Sequence, residues 1–252
     1  MPDFIAIDKN TKKIFYDFLE ESKIFFDLEN KEKLKYKYTG IERIDGKAGL
    51  GYVNKDIENG AFKESFAFNL RNDKVPFSDN YKIIIEIIKK IGFNYIESIN
   101  TDFLKMHDDQ PLIRIHKYYK LNEEDYFYTD DDITEDHILD KLRFFPHRDY
   151  GTITLMYQFN DVKGLQVKTW NSKKWTDLSF DSNKIIVMNG VLLEDFGYEP
   201  TYHRLMNNDI LKERYSMSAH FDLKQKYQNE TIKERLGAKS ETVNIVNHNY
   251  TT

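Results

Sequence analysis

Residues Leu142–Gln158 read LRFFPHRDYGTITLMYQ, and the fold turns on how this stretch is laid out. In an extended backbone successive side chains point to opposite faces, so His147 and Asp149 share one face and Arg148 takes the other. The second half of the stretch belongs to a strand-like run from Thr152 to Phe159. Three more runs come after it, Leu165 to Thr169, Lys184 to Met188 and Arg214 to Phe221, each short and bounded by turn residues. Strands of this length and spacing predict a mainly β protein, a sandwich or jelly roll.

Upstream the apolar period becomes helical. Ile14, Phe15, Phe18, Leu19, Ile24 and Phe25 predict one helix between Thr11 and Leu28, laid on a core. In YKIIIEIIKKIG, the charges Lys82, Glu86, Lys89 and Lys90 recur every three or four residues, which predicts a helix over Tyr81–Ile91 with Gly92 as its stop. Gly40, Gly46, Gly49 and Gly51 mark an irregular connection between Thr39 and Asn59. A phosphate loop is not indicated, because Gly46-Lys47 is followed by Ala48. The acidic stretch Glu123–Asp140 lacks the central Gly and closing Glu of a calcium loop and reads as a solvated insertion. A short helix is expected from Lys224 to Leu236, stopped by Gly237, with a polar tail beyond it. The expected organisation is one domain over 1–252, divided into a mainly helical part at 1–110, a jelly-roll core at 111–223, and the C-terminal helix and tail at 224–252.

Composition narrows the chemistry. Of 252 residues, 40% are hydrophobic and 15% aromatic, enough for a large core. The net charge of −5 and a pI near 5.9 argue against a nucleic-acid partner, which clustered Lys and Arg would bind. The absence of cysteine excludes thiolate ligands, iron–sulfur clusters and a Cys nucleophile, so any metal must be held by His, Asp or Glu. The opening MPDFIAIDKNTKK has no secretory apolar core, and the run Ile83–Phe93 is interrupted by Glu86, Lys89 and Lys90. A soluble, cytoplasmic protein with no membrane partner is therefore expected.

A His-x-Asp pair is a weak signal by itself. Its weight comes from the order and spacing of residues downstream: His203 stands 54 positions after Asp149, and Arg214 of Arg-x-Ser stands 11 positions after His203. Two His and one carboxylate form the facial triad suited to non-haem Fe(II), with three coordination positions left open. Strand alternation puts Arg214 and Ser216 on one face, where a guanidinium and a hydroxyl can grip a carboxylate. An acid held there, with its keto and carboxylate oxygens on iron, would be 2-oxoglutarate.

These residues, with GLQV at Gly164–Val167, the Trp175 segment, YHRL around His203, FFDLENKEKLKY, Gly51-Tyr52 and KESF at Lys63–Phe66, resemble the isopenicillin N synthase-like branch of the Fe(II)/2-oxoglutarate-dependent oxygenases. The resemblance implies a double-stranded β-helix, with His147, Asp149 and His203 on iron and Arg214 and Ser216 on the distal carboxylate of 2-oxoglutarate. It also implies a co-substrate contact from Tyr118, with Tyr119 as the alternative. The implied cofactors are Fe(II), 2-oxoglutarate and O2. The implied reaction is oxidation of an unactivated C–H bond in a small metabolite, such as an amino acid or other carboxylate, releasing succinate and CO2. Hydroxylation is the default outcome, with desaturation or ring closure open, and the intact Asp149 argues against a halogenase. A 2-oxoglutarate-independent iron oxidase and a non-catalytic jelly-roll binding protein stand as alternatives.

Two departures from the family pattern carry expectations of their own. An opening strand and helix are expected to be missing or shortened, and the stretch Asn189–His203 is about four residues shorter than usual. Met156, Gln158 and His220 are candidates to line the substrate pocket, and His116 and Arg143 to meet a substrate carboxylate. An exposed salt bridge is the competing reading for Arg143. Arg148 is expected to brace the outer face, and His107, His137 and His248 to lie on the surface.

Overall fold

Alternating side chains need two environments, and the chain supplies both. A computed structural model describes residues 2–37, 50–53, 63–72, 74–120, 142–168, 174–206, 211–224 and 227. Eleven described strands form two antiparallel sheets: β1 (Asp3–Ala6), β2 (Gly51–Val53), β3 (Lys63–Phe68), β4 (Leu112–Tyr118), β5 (Leu142–His147), β6 (Ile153–Gln158), β7 (Leu165–Lys168), β8 (Thr176–Asp177), β9 (Lys184–Asn189), β10 (Tyr202–Met206) and β11 (Arg214–Phe221). The major sheet has the order β1-β9-β6-β11-β4-β3-β2, and the minor sheet β5-β10-β7-β8. The protein is thus mainly β with flanking helices.

On β11, Tyr215, Met217, Ala219 and Phe221 face the helices while Arg214, Ser216, Ser218 and His220 take the opposite face. The helix-facing side joins a core built with α1 (Lys9–Phe26) and α3 (Asn80–Ile99). Between these helices lies the short α2 (Asn30–Lys33), and α4 (Thr101–Met106) follows α3. Phe15, Phe18 and Phe25 of α1 and Ile84, Ile85 and Ile88 of α3 are almost wholly buried there. Asp8 caps α1 by accepting from Thr11 N at 2.7 Å.

Gly92 does not stop a helix. The helix runs on to Ile99, because the missing side chain makes room for Phe221: a Cβ at Gly92 would lie 2.1 Å from Phe221 Cζ. Glycine inside a helix costs about 1 kcal/mol against alanine, and here close packing of the Phe221 ring against the helix offsets it.

Residues 1–110 contribute three strands besides the helices. An opening strand and helix are both present, β1 with four residues as the edge strand beside β9 and α1 with 18. Gly51, expected in the irregular connection, begins β2. Gly40, Gly46 and Gly49, the acidic stretch Glu123–Asp140, His137, His248, and the helix expected to Leu236 with its tail lie outside the described residues, apart from Lys224 and Tyr227. No helix among the described residues is long and apolar enough to cross a membrane.

Candidate active site

The ladder between β5 and β10 sets His147 directly opposite His203. Their rings sit 4.1 Å apart between centroids. Asp149 lies just past the end of β5, where its loop is clamped to the turn after β9 by Val191 N donating to Asp149 O (2.8 Å), Gly190 N to Thr152 O (2.7 Å) and Leu192 N to Gly151 O (3.2 Å). Gly190 is required for this approach, since a Cβ there would lie 2.0 Å from Gly151 O. The short stretch Asn189–His203 holds a 3-10 turn at Val191–Phe196 and is tied at its end by Thr201 N donating to Asn189 O (2.8 Å). It leaves His203 in register with His147.

One donor atom from each of His147, Asp149 and His203 lies within 4.8 Å of the other two. The Nε2 atoms of His147 and His203 stand 3.6 and 3.9 Å from the Asp149 carboxylate oxygens. His203 Nδ1 is 3.2 Å from Thr201 O, so it donates there and leaves Nε2 as the coordinating atom. Burial opposes ionisation of Asp149. The His203, His220 and His147 imidazoles overcome it and hold the carboxyl below the usual carboxylate range. Two imidazoles and an ionised carboxylate with converging donor atoms are a donor set suited to a ferrous ion.

Beside these donors, Arg214 is 1% exposed. Its Nη1 donates to Ser216 Oγ (2.9 Å) and its Nη2 to Gln158 Oε1 (3.0 Å), while the buried Nε has no hydrogen-bond partner among the described residues. The guanidinium lies 5.1 Å from the Tyr118 ring centre, Tyr118 being its partner across the ladder. Burial lowers the Arg214 pKa, the sign of a charge removed from water, and nearby Arg143 adds to the effect. A buried fork with an orphaned nitrogen and only neutral acceptors fits a carboxylate ligand. Next to it Tyr118, Met156, Leu165, Ile186, Met188 and Leu205 form a small apolar cluster suited to methylene groups.

The remaining expected residues sort by geometry. Burial and the nearby Glu64 carboxylate raise the pKa of Tyr119, whereas Tyr118 pairs with Arg214 across the ladder and is the tyrosine beside the clamp. Gln158 is committed to Arg214 and, through Nε2, to Asn160 O and Val162 O. Met156 stays on the inner face, and His220 Nδ1 is 4.0 Å from Asp149 Oδ1. His116 cannot supply a cation to a substrate: burial, then Lys63 and Arg114, push its pKa well below the ordinary value, and its nitrogens meet Ser65 and Ser218. Arg143 is buried, not an exposed salt bridge, and donates to Lys212 O at 3.1 Å. Arg148 does brace the outside, through Glu194 at 3.0 Å. His107 is 2% exposed instead of lying on the surface, with Nδ1 at Phe103 O and Nε2 at Thr152 Oγ1, both 2.7 Å. Ser65 and Thr154 were not singled out by sequence; only the pairing of distant strands brings them to this face.

Comparison with known proteins agrees with this geometry. Residues 109–221 match the family model described as the 2OG-Fe(II) oxygenase superfamily. No curated protein matches the sequence. Among solved structures, a full-length Neurospora crassa protein in complex with alpha-KG and 5-formyluracil is 20% identical with a TM-score of 0.69, covering 91% of this chain and 79% of that one. JOX2 in complex with 2OG, Fe and JA is 18% identical with a TM-score of 0.62, covering 88% and 68%. AtDAO1, the dioxygenase for auxin oxidation 1 from Arabidopsis thaliana, in complex with 2-oxoglutarate, is 14% identical with a TM-score of 0.63, covering 86% and 82%. Residues 109–221 thus form a 2OG-Fe(II) oxygenase superfamily domain, and the enzyme class is that of a non-haem iron, 2-oxoglutarate-dependent dioxygenase.

Proposed function

We propose that the chain hydroxylates an unactivated C–H bond of a small metabolite, such as an amino acid or other carboxylate, while 2-oxoglutarate is converted to succinate and CO2. In this reading the two sheets are the halves of a double-stranded β-helix, one oxygenase domain spans 1–252 in the isopenicillin N synthase-like branch, and the protein works in the cytoplasm. The observation that carries it is the meeting of the His147, Asp149 and His203 donor atoms within 4.8 Å beside a buried, partly unsatisfied Arg214. The Neurospora crassa protein holds 5-formyluracil and AtDAO1 is named for auxin oxidation, both small molecules, which supports a small-molecule substrate.

When bound, Fe(II) with 2-oxoglutarate and O2 supplies the oxidising chemistry. His147 and His203 would hold the ion through ring nitrogens and Asp149 through a carboxylate oxygen. Arg214 and Ser216 would take the distal carboxylate of 2-oxoglutarate, with Tyr118 alongside and Gln158 fixing the guanidinium. The apolar cluster beside Arg214 excludes water from the methylene part of the co-substrate, which strengthens the charged contacts.

The test is aerobic incubation of the full chain with Fe(II), 2-oxoglutarate and a panel of amino acids and other small carboxylates. Succinate formed in step with a product heavier by one oxygen atom is expected. Substrate oxidation without succinate would replace this reading with a 2-oxoglutarate-independent oxidase. Failure of the folded chain to bind Fe(II) would leave only a non-catalytic binding protein.

A further inference from the structure

Two neutral acceptors hold the Arg214 guanidinium, and one of them also borders a crevice. Gln158 on β6 stands opposite Ser216 on β11. Ser216 Oγ accepts from Arg214 Nη1 at 2.9 Å, and Gln158 Oε1 accepts from Nη2 at 3.0 Å. The Gln158 amide nitrogen donates to Asn160 O at 2.7 Å and to Val162 O at 2.9 Å. Gln158 also lines a crevice where the β1 edge of the major sheet meets the β8 edge of the minor one. Leu165, Leu178, Phe180 and Ile186 wall this crevice, together with Phe4, which is 49% exposed. It has space for a molecule little larger than water.

The three partners of the Gln158 side chain call for an amide. Two carbonyl oxygens need a donor and the guanidinium needs an acceptor, and a carboxamide supplies both. A carboxylate in its place would turn an oxygen toward the two carbonyls and compensate the Arg214 charge from within, leaving less attraction for an incoming acid. The same side chain bears on size. The buried guanidinium is held at both arms of its fork, so it cannot draw back from a longer acid while the carboxamide fills the ground between it and the crevice.

We infer that Gln158 determines which 2-oxo diacid the enzyme accepts: it keeps the Arg214 charge available to a distal carboxylate, and it closes off the space that an acid one methylene longer than 2-oxoglutarate would need. This rests on the assignment of Arg214 as the clamp for the distal carboxylate. Charge and length are thereby set by one neutral side chain that acts through Arg214. Opening the ground beside the guanidinium joins the clamp to the crevice, whose Leu165 and Ile186 walls already belong to the apolar cluster beside Arg214 and suit an additional methylene.

The test is anaerobic calorimetry of the full chain with Fe(II), comparing 2-oxoglutarate with 2-oxoadipate, which is one methylene longer. Wild type is expected to bind 2-oxoglutarate more tightly by about tenfold or more, the usual worth of a misfitting methylene. Gln158→Ala is expected to weaken 2-oxoglutarate, strengthen 2-oxoadipate and so cut the preference by about tenfold. Gln158→Asn keeps the amide but withdraws it by one methylene, and is expected to cut the preference by less. Gln158→Glu is expected to weaken both acids by about tenfold or more and to leave their ratio unchanged. A merely structural role would weaken both acids alike in Gln158→Ala, so the ratio is the readout. Melting checks that each variant is folded, and Gln158→Asn carries the comparison should Gln158→Ala not fold. A folded Gln158→Ala or Gln158→Asn with the wild-type ratio overturns the inference alone, as does a wild type without preference or a Gln158→Glu that binds 2-oxoglutarate normally. A folded wild-type chain that binds no 2-oxoglutarate with Fe(II) overturns both this inference and the proposed function.

Discussion

Arg214→Gln separates ligand binding from folding. The substitution removes the guanidinium fork but keeps an amide that can still donate to one neighbour. Charge-assisted hydrogen bonds contribute about 1.5–3 kcal/mol each, so losing two of them removes roughly 3 kcal/mol or more of 2-oxoglutarate binding. At about 1.4 kcal/mol per tenfold, the dissociation constant rises roughly 100-fold or more. Without ligand two effects oppose each other: a charge held away from water is relieved, while Ser216 Oγ and Gln158 Oε1 lose donors. A net change within about 1 kcal/mol shifts the melting temperature of the ligand-free protein by no more than about 4 °C. Anaerobic calorimetry with Fe(II) and 2-oxoglutarate measures the first quantity. Melting with and without 2-oxoglutarate measures the second, with a ligand at about 100 times its dissociation constant adding about 2.7 kcal/mol to the wild type and far less to the variant. A folded Arg214→Gln protein that binds 2-oxoglutarate as tightly as wild type refutes the assignment of the clamp.

Gly92→Ala gains helix propensity worth about 1 kcal/mol but drives a methyl into the Phe221 ring, where overpacking costs about 1–3 kcal/mol, so denaturant unfolding is expected to show a net loss. A more stable variant would mean that the ring shifts freely. His107 and His116 are both buried with pKa values below the ordinary 6.5, through burial first. Between their folded and unfolded pKa values the unfolded chain binds more protons, so metal-free stability is fully present above about pH 6.5 and falls as pH drops, by up to about 1.4 kcal/mol per pH unit per group. Urea unfolding on either side of that pH measures it, and a flat profile contradicts the neutral, buried state of both rings.

The parts of this protein legible in sequence are those governed by neighbours along the chain. Alternation placed Arg214 and Ser216 on one face, and the bounds of the last strand, Arg214–Phe221, match the structure. His147, Asp149 and His203 converge as their order and spacing suggested. What escaped is set by partners far away in sequence. The β3 stretch KESFAF opens with two charged residues yet is wholly buried, because Glu64 meets Lys33 at 2.7 Å and Tyr52 at 2.6 Å on the helix side. Gly92 reads as a stop until Phe221 is placed against it, and His107 sits in a polar stretch yet binds Thr152 inside the protein. Ser65 and Ser218 stand 51 and 102 positions from His116, so no local pattern could join the three.

The most direct measurement is an anaerobic titration of the full chain with Fe(II) and 2-oxoglutarate, followed by visible absorbance. The account predicts one Fe(II) per chain, a weak charge-transfer band that needs both components, and loss of that band in His203→Ala. A folded wild-type chain that binds no iron, or gives no band with both present, contradicts it.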